Sequence, residues 1–121
     1  MDNLLRKLIG RRTAYKASPG DICSVRSEGE LFGVIKVLAV ADGVVHVRLY
    51  REKFPERPKL IASTSLTLGS ISDSGGFGMG HLPLSGPTFD SWVPVPFQNE
   101  PVTEDELAGY RMWQEDSGGV W

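Results

Sequence analysis

The sequence predicts a small, mainly β (α+β) domain, a barrel of about five strands with a C-terminal helix and a short N-terminal helix. Three observations carry this prediction. Short runs of β-branched and apolar residues are punctuated by Gly, Pro and Asp turns. An Asp42-Gly43 pair separates two of these runs and supplies the positive φ angles of a tight hairpin. Near the end, Thr103-Glu104-Asp105-Glu106 has the pattern of a capping box and opens a helical repeat. A chain of 121 residues can bury one modest core. We therefore read 1–121 as one domain: a basic segment at 1–17, the barrel at 18–97 and the helix at 101–117.

Leu4, Leu5, Leu8 and Ile9 give residues 2–9 the repeat of a short amphipathic helix, ended by Gly10. Ser18-Pro19-Gly20-Asp21 is a turn, and Asp21 to Arg26 a strand. After a polar loop, Leu31 to Val40 reads as a long strand, with Gly33 marking a bulge or bend. Val44 to Tyr50 is its return partner, with Val45, Val47 and Leu49 on one face and His46, Arg48 and Tyr50 on the other. Pro55 and Pro58 break regular structure. Leu60 to Leu68, in which Ser and Thr alternate with apolar residues, leans to strand. Gly69 to Gly80 is a glycine-rich loop leading into a strand at Met79 to Leu84. Pro87 to Trp92 forms one helical turn with proline at its start. Val93 to Phe97 is extended because residues before proline are pushed out of helical geometry. In the last helix, Leu107, Tyr110 and Trp113 or Gln114 form the inward stripe, and Gly118-Gly119 stops it.

The net charge of −2 hides an asymmetry. Residues 1–60 hold twelve Lys/Arg against seven Asp/Glu, whereas residues 61–121 hold Arg111 alone against eight acids. Two faces of opposite sign would suit a charged partner. No apolar run approaches the roughly 20 residues that span a bilayer. The first twelve residues, MDNLLRKLIGRR, lack the apolar core of a secretion signal. The single Cys23 excludes an internal disulfide and fits a reducing compartment. The expected location is cytoplasmic, with no membrane partner.

Most enzyme chemistry finds no footing in these residues. Gly75-Gly76-Phe77-Gly78-Met79-Gly80-His81 carries four glycines in six positions, but His81 replaces the last glycine of a dinucleotide fingerprint. Pro83 follows, so no helix N-terminus is available for a phosphate. The stretch reads as a loop that brings the backbone close to a neighbouring strand. Cys23 with His46 or His81 would be the nucleophile and base of a dyad, but Cys23 sits mid-strand, the place of a small buried thiol. His46 and His81 lack metal-ligand spacing. The expectation is a protein that is not an enzyme and has no catalytic residues, no metal and no cofactor.

Two kinds of binding surface remain open. Lys36, His46, Arg48 and Tyr50 share the outer face of the 31–50 hairpin, with Arg51 and Lys53 beyond, and basic grooves with aromatics bind single strands. The sequence pI of about 5.6 is low for a dedicated nucleic-acid binder. The second half holds acids beside aromatics, which would suit a basic protein partner.

Pro19-Gly20-Asp21-Ile22-Cys23, followed by Leu31-Phe32-Gly33-Val34-Ile35-Lys36-Val37-Leu38, resembles the opening of a group of bacterial SH3-like barrel proteins. Some of these are immunity proteins of polymorphic or contact-delivered toxins. Pro101 to Leu107, with Gly109, Tyr110 and Trp113, is similar to the closing helix of related bacterial proteins. The resemblance covers residues 18–50 and, more weakly, 79–116, and it transfers no catalytic residue. It implies an SH3-like barrel and a cytoplasmic immunity protein, a toxin inhibitor acting by protein–protein interaction that occludes the active site of a cognate toxin. A basic, nuclease-type effector would suit the acidic half. Its expected contacts are Asp73, Asp90, Trp92, Glu104, Asp105 and Glu115. The alternative is an SH3-like nucleic-acid-binding module using Lys36, His46, Arg48 and Tyr50.

Overall fold

The computed structural model describes residues 15–69, 77–116 and 118–121. The expected helix at 2–9 and the expected contact Asp73 lie outside them. These residues hold five strands: β1 (Asp21–Arg26), β2 (Phe32–Ala41), β3 (Val44–Leu49), β4 (Met79–Ser85) and β5 (Val95–Asn99). Helix α1 (Gly86–Ser91) joins β4 to β5, and α2 (Ala108–Asp116) follows β5. The strands form one antiparallel sheet in the order β4-β3-β2-β1-β5. The architecture of the described residues is thus mainly β with two α-helices. Among the described residues no ladder joins β4 to β5, and the sheet is open.

The β2–β3 hairpin forms where Asp42-Gly43 places it. Both turn residues have positive φ, 54° and 77°, the geometry that matches the strand twist. Ala41 pairs with Val44, and Lys36 lies opposite Arg48. The register slips between Val37 and Ala39, leaving Leu38 as the extra residue of a bulge. Gly33, by contrast, pairs regularly with Val25, so the bulge expected there lies five residues further on.

Alternation along the strands divides the core in two. On one face Cys23, Val25, Ile35, Val37, Val45, Val47, Leu82 and Leu84 pack with Phe89 of α1. On the other, Ile22, Val34, Tyr50 and Leu66 form a second cluster, flanked by Phe54, Ile61, Leu68 and Phe97. Residues 33–38 of β2 are consequently all buried. The hairpin's second face, expected to meet solvent, is a covered face.

The segment 60–68 covers part of that second face without being a strand. Its only regular element is a 3-10 turn at Ser63–Ser65. The reason is local: Ser65 Oγ donates to Ala62 O at 2.7 Å, so a hydroxyl takes an acceptor that a ladder would need. Thr67 N donates to Glu52 Oε1 at 2.8 Å, and Arg51 N to Thr67 O at 2.9 Å, which ties the segment beside the end of β3.

Gly78 makes the close backbone approach expected of the glycine-rich stretch. A Cβ there would lie 2.0 Å from the carbonyl oxygen of Leu49. Only glycine lets the chain approach β3 this closely, and Gly78 N donates to Leu68 O at 2.6 Å. α1 starts at Ser85, whose Oγ accepts from Thr88 N at 3.2 Å, with Pro87 in the first turn.

Candidate functional site

The C-terminal segment begins with the capping box read from the sequence. Thr103 N donates to Glu106 Oε1 at 2.9 Å, and Glu106 N donates to Thr103 Oγ1 at 3.3 Å. Regular helix starts only at Ala108, because residues 104–107 close as successive turns. The helix expected from 101 is therefore shorter, preceded by a capped, non-helical stretch.

Glu106 does more than cap. Its carboxylate accepts two bonds from Lys36 Nζ, at 3.0 and 3.2 Å, and Arg48 Nη1 stands 4.0 Å away. Lys36 Nζ also donates to Pro101 O at 2.9 Å. The Lys36 side chain is 6% exposed and that of Glu106 13%, so this is a shielded ion pair. Burial alone would raise the Glu106 carboxyl. The Thr103 bonds and the Lys36 ammonium outweigh it and hold the group below the usual range. Among the described residues, Arg48 Nε is buried without a hydrogen-bond partner. Beside the pair lies an open cleft of about 360 Å³, whose walls include Tyr50, Ser63, Thr64 and Asp105.

A second contact set fixes α2. His46 Nδ1 and His81 Nε2 are 2.9 Å apart, with nearly parallel rings. Tyr110 and Trp113 meet the His46 ring edge-on, at centroid distances of 4.5 and 4.6 Å. The approach depends on Gly109, where a Cβ would fall 2.7 Å from the Cβ of His81. Trp113 Nε1 donates to Gly119 O at 2.8 Å, wrapping the chain end around the indole. Trp121 N donates to Pro83 O and Ser85 N to Trp121 O, both at 2.8 Å, so the chain end lies along β4. Desolvation, and then the neighbouring His81, pull His46 down to about 4, while burial lowers His81.

The structure brings Lys36, His46, Arg48 and Tyr50 to one face, as the alternation implies, but covers them. Lys36 is 5% exposed, His46 1% and Tyr50 7%. The outer basic face of the sequence reading is a buried one, and His46 is not a solvent-facing strand residue. Of the acidic contacts, Asp90 is exposed on α1, on the side of the first cluster. Trp92 is half-buried against that cluster. Glu104, Asp105 and Glu115 are exposed on the C-terminal segment, across the sheet. The expected contacts thus belong to elements on opposite faces, and they do not form one patch. Glu104 also carries an ion pair at 3.0 Å with Arg111.

Cys23 is fully buried and, by alternation, on the face away from His46. Burial pushes its thiol up to about 11, the reverse of an activated nucleophile. The dyad is not assembled. Among the described residues no group of three or more His, Cys, Asp or Glu converges as a metal site, and no helix is long and apolar enough to cross a membrane.

Sequence reasoning missed the second role of Glu106, although a signal was present. Lys36 stands in the middle of an apolar run, Val34-Ile35-Lys36-Val37-Leu38, and a lysine there needs a buried partner. No family model matches the chain, and no curated protein or solved structure matches it either.

Proposed function

We propose that the chain is a cytoplasmic immunity protein that binds a cognate toxin and neutralises it by occluding the toxin's active site. The observation that carries this reading is the clamped C-terminal segment. Its inner side is locked by Lys36–Glu106 and by Trp113 against His46. Its outer side presents the exposed carboxylates of Glu104, Asp105, Glu115 and Asp116 around Met112, which is 63% exposed. A rigid acidic ridge with an apolar centre loses little entropy on docking and steers a basic partner. We also propose an SH3-like barrel for the sheet; the β1–β4 meander with β5 returning beside β1 supports that reading.

Nucleic acid on the 31–50 hairpin is disfavoured by the same geometry. A strand reaching Lys36, His46 and Tyr50 would first have to displace α2 and break the shielded ion pair. The test is co-expression with the products of the flanking genes. Growth arrest relieved by this protein, together with a co-purifying complex, supports immunity. Charge reversal at Glu104, Asp105 and Glu115 should then slow association and flatten its salt dependence. Full protection and unchanged association after reversal would defeat the acidic-ridge reading.

A further inference from the structure

Two arginines meet at the end of β1 without a carboxylate between them. Arg26 stands directly opposite Phe32 in the β1–β2 ladder, and Ser24 lies two residues earlier, so the three side chains leave the same face. The Arg57 guanidinium lies 4.7 Å over the Phe32 ring. Its Nη1 donates to Ser24 O at 3.0 Å and to Ser24 Oγ at 2.9 Å. Ser24 is 1% exposed, so this anchor is set in the core. Burial, and then the adjacent Arg26, lower the Arg57 group, which still stays charged at any physiological pH. Among the described residues, no carboxylate lies within ion-pair distance of either guanidinium.

Two like charges side by side repel, yet Ser24 and Phe32 hold Arg57 in place beside Arg26. The free donors of Arg57 are the informative ones. Nε and Nη2 make no hydrogen bond and, unlike Arg48 Nε, are not buried, so they reach solvent. These two nitrogens form one edge of the planar guanidinium, the fork that matches two oxygens of an anion. Arg26 is exposed and brings a second guanidinium to the same place. A basin of about 330 Å³ adjoins them, lined by Arg26 and Phe32 and by Gly29, Glu30 and Leu31 of the β1–β2 loop. The loop is closed by Ser27 N to Leu31 O at 2.9 Å and Leu31 N to Glu28 O at 3.1 Å. Glu30 lines the basin without pairing with either arginine.

We propose that Arg57 and Arg26 bind a phosphoryl dianion, as inorganic phosphate or as a phosphomonoester. Arg57 Nε and Nη2 hold two of its oxygens, and the Arg26 guanidinium holds a third. Two guanidiniums match the two negative charges, whereas a single carboxylate would leave one cation uncompensated. The bound anion also removes the repulsion between the arginines, a gain that a lone surface arginine cannot give. The anchoring of Arg57 on Ser24 and Phe32 sets the fork before the ligand arrives, which lowers the ordering cost of binding.

The probes are inorganic phosphate, the blocked peptide Gly-Gly-phosphoserine-Gly-Gly and its unphosphorylated counterpart. Each is titrated into the full chain at pH 7.5 and constant ionic strength, and the arginine Nε–H signals are followed by NMR. We expect the Arg57 and Arg26 signals to move together and saturate, with half-saturation at or below about 5 mM. The unphosphorylated peptide should move neither. Arg26→Gln, at an exposed position, should weaken binding about fivefold or more with unchanged thermal unfolding. Arg57→Lys, which keeps the charge and loses the fork, should do the same. Lys16→Gln, an exposed cation elsewhere, should leave binding as it was. Shifts that never saturate, no shift at all, or equal weakening by Lys16→Gln would overturn the proposal. Tighter binding of the phosphopeptide than of phosphate assigns the group to a phosphorylated partner; phosphate binding as tightly or more tightly assigns it to the free ion, and the site stands in both cases. The C-terminal acidic ridge takes no part, so the outcome is independent of the immunity reading.

Discussion

His46 Nδ1 and His81 Nε2 face each other at 2.9 Å beneath Tyr110 and Trp113. At that distance one ring nitrogen must donate and the other accept, so the accepting imidazole must be neutral and the contact is lost once both rings are protonated. It joins β3 to β4 and forms the surface on which α2 rests. The pair is therefore the contact point between the sheet and the acidic segment.

Protonation should loosen this contact. His46 titrates near 4 in the folded protein and near 6.5 when unfolded, and His81 shifts in the same direction. The unfolded chain takes up protons first as pH falls, so the pair's contribution is complete above about 6.5 and is lost progressively down to about 4. The loss at His46 comes to about 3 kcal/mol, since its folded and unfolded values lie about 2.5 apart and one pKa unit corresponds to about 1.36 kcal/mol. Urea denaturation at pH 7.5, 6 and 5 should show stability falling. His81→Gln should flatten this slope between pH 6.5 and 5, and an unchanged slope would refute the assignment.

Glycine at 78 and 109 is required by contact. An alanine Cβ would meet the Leu49 carbonyl at 2.0 Å in one case and the His81 Cβ at 2.7 Å in the other. Gly78→Ala should cost about 3 kcal/mol, because backbone must move. Gly109→Ala should shift α2 outward and raise the exposure of Trp113, read as a red shift of its fluorescence. Gly86→Ala and Gly119→Ala, where nothing lies within 4 Å, should stay within about 0.5 kcal/mol.

Val93 carries backbone strain. Its φ is 52°, a region that β-branched residues rarely occupy, and Pro94 follows it. The left-handed conformation costs roughly 1–2 kcal/mol. Val93→Gly should relieve it and leave stability unchanged or higher by up to about 1 kcal/mol, after the entropy cost of glycine. A thermal midpoint several degrees lower would show that the side chain's packing outweighs the strain.

The strands were legible because each rests on local information. Asp42-Gly43 fixes the hairpin, and the alternation of Val45, Val47 and Leu49 fixes its faces. What covers those faces was not legible, because it depends on contacts between distant residues. Lys36 and Glu106 are 70 residues apart, and His46 and His81 35. Period-two spacing says that Lys36, His46 and Tyr50 share a face but not that a helix lies on it. The 60–68 segment differs from its strand-like pattern for a related reason: Ser and Thr alternate there as in a strand, yet the Ser65 hydroxyl takes the Ala62 carbonyl locally and the Thr67 hydroxyl goes to Glu52.

The ion pair between Lys36 and Glu106 gives the sharpest test of how α2 is held. Glu106→Gln would leave a lysine with a 6% exposed side chain facing Pro101 O and a neutral amide, an uncompensated charge costing about 3–5 kcal/mol. Lys36→Met should cost less, because Glu106 keeps its bonds from Thr103 and the nearby Arg48. In the double variant Lys36→Met/Glu106→Gln most of the loss should return, since neither charge is then stranded. A coupling of about 1 kcal/mol or more in a double-mutant cycle by urea denaturation is the expected outcome. Purely additive costs would mean that the two side chains contribute independently, with α2 held by His46, Tyr110 and Trp113 alone.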